Sequence, residues 1–274
     1  MKAFRFVADL DRDPPEVAEL WALGCRGLQQ DGAEVLAWFD EERPLPLSGA
    51  WEEEDGTDWV AAYLRDLQPV QLRTLVIAPS HAEVTLRVGQ RPLWLDPGMA
   101  FGTGHHETTR MALVALERLD PWDRRVLDVG AGSGILAIAA DLLGAREALG
   151  VDVDEATLPV ARDNARLNRS RARFRTGSVE AAGETGAWEV LVANLYAELH
   201  ARLAPAYHAA LAPAGRVILT GILAERERLV EEALADGWEI VGRDRDGPWR
   251  LVEAVPQGGS SGGGCARWGR ARCA

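Results

Sequence analysis

The chain has 274 residues, of which 47% are hydrophobic and 26% charged, the composition of a soluble globular protein with more than one domain. Its formal net charge of −12 disfavours stable, nonspecific nucleic-acid binding and favours a basic partner, although a local basic patch could still bind RNA. No apolar stretch reaches transmembrane length, the first residues lack a signal-peptide core, and the 3 cysteines form no metal-ligand pattern, so we expect a cytoplasmic protein without membrane association.

Residues 1–50 are predicted to form a small α+β module. Alternating apolar residues predict a strand at Ala3–Val7, and a proline pair predicts the start of a helix over Glu16–Leu23. Gly27–Gln30 and Ala33–Phe39 are typical of a hairpin. This order is half of a ferredoxin-like unit. Because the module contains no cluster of catalytic groups, we expect it to recognise a substrate.

Residues 51–96 are predicted to connect this module to a catalytic domain over residues 97–255. An acidic run begins at Trp51, and the apolar spacing predicts a helix from Asp58 to about Leu67. Further strands are predicted at Leu72–Ile77, Val84–Val88 and Leu93–Leu95. They would lead the chain into the catalytic domain.

The segment from Asp96 to Arg110 is dense in glycine and threonine and precedes a predicted helix over Thr109–Leu119. Backbone N–H groups and hydroxyls at a helix start can hold a polar ligand, and an aromatic ring can cover an adenine or a sulfonium. We therefore expect a lid or wall of a cofactor site, made by Phe101, Gly102, Thr103, Gly104, Thr108 and Thr109.

His105, His106 and Glu107 within this segment raise the alternative of a metal site. Adjacent histidine side chains point in different directions, and the segment has no H-x-x-x-H spacing. We therefore expect no metal. His105 is kept as a candidate proton acceptor.

The stretch from Val126 to Gly134 organises the rest of the chain: a buried strand, a turn with Gly130, Gly132 and Gly134, and then an apolar helix. Glycines let the backbone turn tightly and approach a ligand closely. The next strand ends at Asp152, 152 − 128 = 24 residues after Asp128, near the spacing at which a carboxylate meets ribose hydroxyls. The stretch predicts a nucleoside site.

Asp128 helps to decide which nucleoside is bound. Residues 132–137 match the dinucleotide fingerprint G-x-G-x-x-A, so a nicotinamide oxidoreductase is one alternative. A carboxylate at the end of the strand would repel a pyrophosphate but would suit the ammonium group of a methionine moiety beside a sulfonium. This favours S-adenosylmethionine.

Strand and helix patterns alternate from Val126 to about residue 254, ending in a predicted hairpin of Trp238–Gly242 and Trp249–Ala254. Alternation predicts a parallel, doubly wound α/β sheet with right-handed crossovers, whose ligands bind outside the carboxyl ends of the strands. Four polar residues fall at such ends: Asp128, Asp152, Ser178 and Asn194. Ser178 is expected to border the adenine, and Asn194 to orient an amine.

Two sets of motifs carry a resemblance to known families. Asp128–Gly134 together with Asp152 resembles class I S-adenosylmethionine-dependent methyltransferases. Pro97–Thr109 together with Val192–Tyr196 resembles the family that methylates the large-subunit ribosomal protein L11, over about residues 1–255. The resemblance implies a ferredoxin-like recognition domain, a linker and a seven-stranded Rossmann-like methyltransferase domain. It also implies methylation of the lysine side-chain and N-terminal amines of one basic protein.

The resemblance implies cofactor contacts at Thr109, Gly130, Asp152 and Asn194, and a loop that closes the site. Asn194-Leu195-Tyr196 departs from the Asn-Pro-Pro-Tyr of many amine methyltransferases, although the amide remains. Residues 256–274 lie outside the resemblance and are expected to be disordered. The alternatives are a methyltransferase of another protein, an RNA or a small molecule, the nicotinamide enzyme, and a noncatalytic binding module.

Overall fold

The computed structural model describes residues 2–8, 20, 23–25, 27–31, 34–52, 68–96, 104–183 and 185–257. The chain divides into two units, residues 1–62 and residues 63–274. The predicted helices over Glu16–Leu23 and from Asp58 to Leu67 lie wholly or mostly outside the described residues, as do Phe101–Thr103 and the tail beyond residue 257.

The first unit contains a four-stranded antiparallel sheet in the order β2-β3-β1-β4. Its strands are β1 Lys2–Val7, β2 Gly27–Asp31, β3 Glu34–Phe39 and β4 Gly49–Glu52. Alternating residues of β1 and β3 point to one face, where Phe4, Phe6 and Phe39 are buried in the core. The predicted hairpin of β2 and β3 is confirmed, with Asp31 opposite Glu34.

Strand β4 was not expected, and it corrects the end of the first module. It pairs with β1, with Trp51 opposite Phe4, and the Trp51 ring packs edge-on against Phe4 and Phe39 at centroid distances of 5.2 and 5.5 Å. Trp51 and Glu52 therefore belong to this sheet, and a boundary at residue 50 is too early. The contacts that draw β4 onto β1 are long-range.

The second unit begins with a small sheet of β5 Val70–Gln71, β6 Leu75–Ala78 and β7 Arg91–Trp94, in that order. The predicted strand at Val84–Val88 is wrong, because these residues form no strand. Their alternation resembles a strand, yet Leu86 and Val88 are both exposed. The alternation of apolar residues was misleading by itself, because no described strand pairs with this segment.

The rest of the second unit is a seven-stranded sheet in the order β10-β9-β8-β11-β12-β14-β13. The strands are β8 Arg125–Val129, β9 Glu147–Asp152, β10 Arg173–Thr176, β11 Trp188–Asn194, β12 Leu211–Leu223, β13 Trp238–Asp246 and β14 Trp249–Pro256. Strands β10, β9, β8, β11 and β12 are parallel, whereas β14 runs antiparallel to both of its neighbours. The final hairpin is confirmed.

Helices cover both faces of this sheet. They are α1 Glu107–Leu119, α2 Ile135–Leu142, α3 Thr157–Leu167, α4 Ala197–Ala210 and α5 Glu227–Ala233. Helices α1, α2 and α3 share one core with sheet residues such as Val126 and Val192, and α4 and α5 share the other with Leu127 and Leu191. Parallel strands that are buried on both faces are typically near-continuous runs of apolar residues. The predicted doubly wound fold is confirmed. Among the described helices, none is both long and apolar enough to cross a bilayer.

Candidate active site

The carboxyl ends of five parallel strands meet at one edge of the seven-stranded sheet. Across that edge Thr176 pairs with Asp152, and Asn194 pairs with Thr220. Between them, Val129 pairs with both Val151 and Ala193. Neighbouring strands lie about 4.8 Å apart, so the sheet places Asp152 and Asn194 at the same level of this edge. Asp128 lies further back, opposite Gly150 and Val192.

The glycine-rich turn after β8 needs its glycines for backbone reasons. Gly130, Gly132 and Gly134 have φ values of 76°, 49° and 82°, a region that other residues rarely adopt. At Gly134 a Cβ would also lie 2.7 Å from the Phe174 ring. The turn is fastened to β9, because the N–H groups of Gly130 and Ala131 donate to the carbonyl of Val151 at 2.9 and 3.1 Å.

Asp152 joins the glycine turn to the end of β9. Its Oδ2 accepts from the N–H of Gly132 at 2.8 Å and its Oδ1 from the N–H of Asp154 at 2.9 Å. A carboxylate has about four acceptor positions, so two bonds leave capacity for further donors. A half-buried carboxylate with spare acceptors is suited to a pair of ribose hydroxyls.

Asp128 lies beneath the turn with no exposed surface. Its Oδ2 accepts from the N–H of Ala137 at 3.0 Å, in the first turn of α2, and its Oδ1 is buried without a hydrogen-bond partner. Burial, with a smaller contribution from the charge of Asp152, raises the pKa of the Asp128 carboxyl to about 7. The observed role is to anchor the start of α2, and the direct ammonium contact stays a prediction.

Asn194 is held between α1 and β12. Its Nδ2 donates to Oγ1 of Thr109 at 3.2 Å, and its Oδ1 lies beside Gly221, where an added Cβ would approach this oxygen to 2.8 Å. Gly221 has a φ of 83° and must remain small to allow this approach. In this orientation of the amide, Oδ1 can accept a further hydrogen bond.

The two threonines at the start of α1 are buried, with only 1% of each exposed. Thr109 supports Asn194, while Oγ1 of Thr108 lies 2.8 Å from Nδ1 of His106. Both were expected to bind the cofactor. The structure instead shows their hydroxyls bonded within the protein, and their cofactor contacts stay predictions.

The two histidines before α1 are turned towards protein groups. Nε2 of His105 lies 2.7 Å from the carbonyl of Gln68, so this nitrogen carries a proton. His106 caps α1, and its ring packs edge-on against Trp249 at 5.1 Å. In the part of the chain that the structure describes, no three His, Cys, Asp or Glu side chains are grouped to hold a metal ion.

Two remaining predicted residues lie at the margins of the site. Ser178 is half-buried directly after Gly177, whose N–H donates to the carbonyl of Asp152 at 2.7 Å. Gly104 is buried with a φ of 79°, and a Cβ there would lie 2.8 Å from Ile77. Phe101, Gly102 and Thr103 lie outside the described residues, so the lid stays a prediction.

Sequence reasoning missed two exposed apolar side chains on this edge. Val153, directly after Asp152, is 75% exposed, and Tyr196, two residues after Asn194, is 59% exposed. Their positions immediately after the predicted polar residues were the available signal.

Comparison with known proteins gives consistent matches. The family model described as "Ribosomal protein L11 methyltransferase (PrmA)" matches residues 29–256. A protein of that name from Thermus thermophilus is 49% identical over 255 residues, covering 92% of this chain and 98% of its own length. One from Deinococcus radiodurans is 47% identical over 253 residues, covering 86% and 92%.

A crystal structure of ribosomal protein L11 methylase from Lactobacillus delbrueckii subsp. bulgaricus is also similar. It superposes with a TM-score of 0.65 at 33% identity and covers 69% of this chain and 99% of its own. The likeness therefore extends from the motifs to the three-dimensional fold.

Proposed function

The chain belongs to the ribosomal protein L11 methyltransferase family, and we propose that it transfers methyl groups from S-adenosylmethionine to lysine side-chain and N-terminal amines of ribosomal protein L11. One observation carries the proposal: Asp152 and Asn194 lie on the same sheet edge, on either side of a glycine-rich turn. The carboxylate suits a ribose and the amide suits an amine.

The residues present fit the cofactor. Asp152 has acceptor positions left for two hydroxyls, and the exposed Val153 beside it offers an apolar surface for a base. The ionised form of Asp128, which predominates above a pH of about 7, gives the site a negative field that suits an ammonium and a sulfonium and disfavours a pyrophosphate. The nicotinamide alternative is accordingly less favourable.

The chemistry depends mainly on positioning. When bound, the cofactor supplies a methyl group made electrophilic by its sulfonium. Asn194 accepts a hydrogen bond from the substrate amine through Oδ1 and so sets its direction of approach. Orientation of this kind contributes a large share of the rate in such reactions. No strong base is needed, because desolvation and a nearby cation both lower an amine's pKa; His105 is the candidate acceptor for the proton.

Residues 1–62 would then recognise the protein substrate. The sheet order β2-β3-β1-β4 with antiparallel neighbours supports a ferredoxin-like arrangement. Between β3 and β4, residues 40–48 cross over without a helix, so this unit would be a reduced version. The connector and the lid from Phe101 to Gly104 complete the proposed division of the chain.

The proposed setting is the cytoplasm, where a ribosomal protein is made. The net charge of −12 complements a basic protein and disfavours stable binding to nucleic acid.

Mass spectrometry tests the function directly. Purified L11 incubated with the enzyme and isotope-labelled S-adenosylmethionine should gain labelled methyl groups on lysine and N-terminal amines. Unlabelled L11 would contradict the proposal, and label in ribosomal RNA or in another ribosomal protein under the same conditions would identify the alternative substrate.

Replacement of Asp152 by alanine should weaken S-adenosylmethionine binding about 10- to 150-fold, the range expected for losing hydrogen bonds to a charged group. Calorimetry measures the change in Kd. Asp154→Ala is a matched control, since this neighbouring carboxylate is exposed and bonds only locally to the N–H of Ala156. An unchanged Kd for Asp152→Ala would show that the carboxylate does not hold the ribose.

The methylation rate should rise with pH between about pH 6 and 9, because only the neutral amine attacks and a free lysine has a pKa near 10.4. Single-turnover rates measure the profile. Asp128→Asn is the control, because the Asp128 carboxyl has a pKa of about 7 and loses its proton in the same pH range. The variant removes this second source of pH dependence. A flat profile in both proteins would contradict a rate limited by methyl transfer to lysine.

A further inference from the structure

Behind Asn194 the structure contains a buried polar cluster made of His200, Tyr207 and Thr220, none of them more than 1% exposed. Nε2 of His200 lies 2.8 Å from the carbonyl oxygen of Thr220, and Nδ1 lies 3.3 Å from the hydroxyl of Tyr207. Because a carbonyl can only accept, Nε2 is the donor, and Nδ1 accepts from the Tyr207 hydroxyl. One tautomer satisfies both partners.

Thr220 connects this cluster to the proposed site. Its carbonyl also accepts from the N–H of Leu195 at 3.0 Å, and it lies opposite Asn194 in the pairing of β11 with β12. The adjacent Gly221 lets β12 approach the turn, since a Cβ there would come 2.5 Å from the Leu195 carbonyl. His200 is therefore linked through the Thr220 carbonyl to the N–H of Leu195, directly after Asn194.

The cluster keeps the same form over the working pH range. Burial lowers the pKa of the His200 ring to about 4 and raises the pKa of Tyr207 above its ordinary value. Both side chains stay neutral near pH 7. The orientation of the ring is thus fixed by directional bonds, which an apolar side chain of similar size could not provide.

A simple core position would not require this arrangement. Burying polar groups is costly unless each is satisfied, and an apolar replacement of similar shape is often neutral for stability. A small misplacement of an orienting group, in contrast, can cost a large factor in rate. The free-energy cost of burying these polar side chains is therefore better explained by a role in positioning the orienting amide than by a contribution to stability.

We propose that His200 is a positioning residue for methyl transfer, which acts by holding Thr220 and, through it, the Asn194-Leu195 turn in place. The inference rests on the proposed function, since it assigns His200 a role in orienting the substrate amine. It predicts a loss of kcat without a matching loss of binding.

The test compares His200→Leu, which removes both hydrogen bonds, with His200→Gln, whose amide can still donate to the Thr220 carbonyl. We expect kcat to fall about 10-fold in the first and to recover to within about 3-fold of wild type in the second. The KM for L11 and the Kd for S-adenosylmethionine should change less than about 2-fold. If His200→Leu does not fold, Tyr207→Phe is the substitute variant, because it removes only the hydrogen bond between the Tyr207 hydroxyl and Nδ1 of His200.

A matched structural control is Glu117→Gln. Glu117 is also buried in this unit, where its carboxylate accepts from the N–H groups of Arg73, Thr74 and Leu75, but it lies about two turns along α1 from Thr109. The Glu117→Gln variant should have a lower melting temperature and an unchanged kcat.

A double-mutant cycle with Asn194→Ala provides the decisive comparison. If His200 acts through Asn194, His200→Leu should have little further effect on kcat once the amide is gone. Equal fractional losses in both backgrounds, or a glutamine variant no better than leucine, would overturn the proposal. Wild-type enzyme that leaves L11 unmethylated would instead contradict the proposed function, so the two failures are distinguishable.

Discussion

Asn194→Ala is expected to lower kcat for L11 methylation by about 100-fold or more, while the Kd of S-adenosylmethionine changes less than about 3-fold. The amide is fixed by Thr109 and Gly221 and contributes orientation, which acts on the transfer step and not on cofactor binding. Single-turnover kinetics and calorimetry measure the two quantities separately.

Asn168→Ala is a matched control for this experiment. Its side chain bonds both the N–H and the carbonyl of Trp94, at 2.8 and 2.6 Å, so its loss should lower the melting temperature and spare kcat. Equal losses of kcat and cofactor affinity in Asn194→Ala would make Asn194 mainly a cofactor ligand.

A chain that begins at residue 63 should bind S-adenosylmethionine normally but lose at least about 100-fold in kcat/KM for intact L11. Binding the substrate through a separate unit raises the effective concentration of its amines at the site, and removing that unit removes this gain. The start follows from β4, because a chain that began at Trp51 would retain a strand of the first unit without its partner.

A short lysine peptide is the control substrate, and both chain lengths should methylate it equally slowly. Full-rate methylation of L11 by the shortened chain would contradict a recognition role for residues 1–62. A shortened chain that does not fold would contradict the division into two independent units.

Asp152 and Asn194 could be predicted because each follows an uninterrupted apolar run that only a buried parallel strand explains. Asp152 and Asn194 were identified in this way, and the sheet register places them in one row. Alternation misled at Val84–Val88, with which no described strand pairs. Alternation also missed β4. Gly49 is required there by a long-range contact, because an added Cβ would lie only 2.4 Å from the carbonyl oxygen of Arg5.

The roles of buried side chains were harder to predict than their positions. Asp128 falls at a strand end as expected, but its complete burial depends on α2 and on β9 packing around it. His200 and Thr220 are 20 residues apart, and neither belongs to a recognisable motif. Hydrogen bonds between distant residues become visible only after the sheet has been assembled.

The position of β14 has a consequence for the order in which the protein matures. This strand is the last one in the described chain, yet it lies between β12 and β13. Until residue 256 has been synthesised, β12 is left as an open edge and β13 has no strand to join. Open edges are where nascent chains mispair. Since β12 carries Thr220 and Gly221, which lie against the Asn194-Leu195 turn, we expect cofactor binding to require a chain that includes β14.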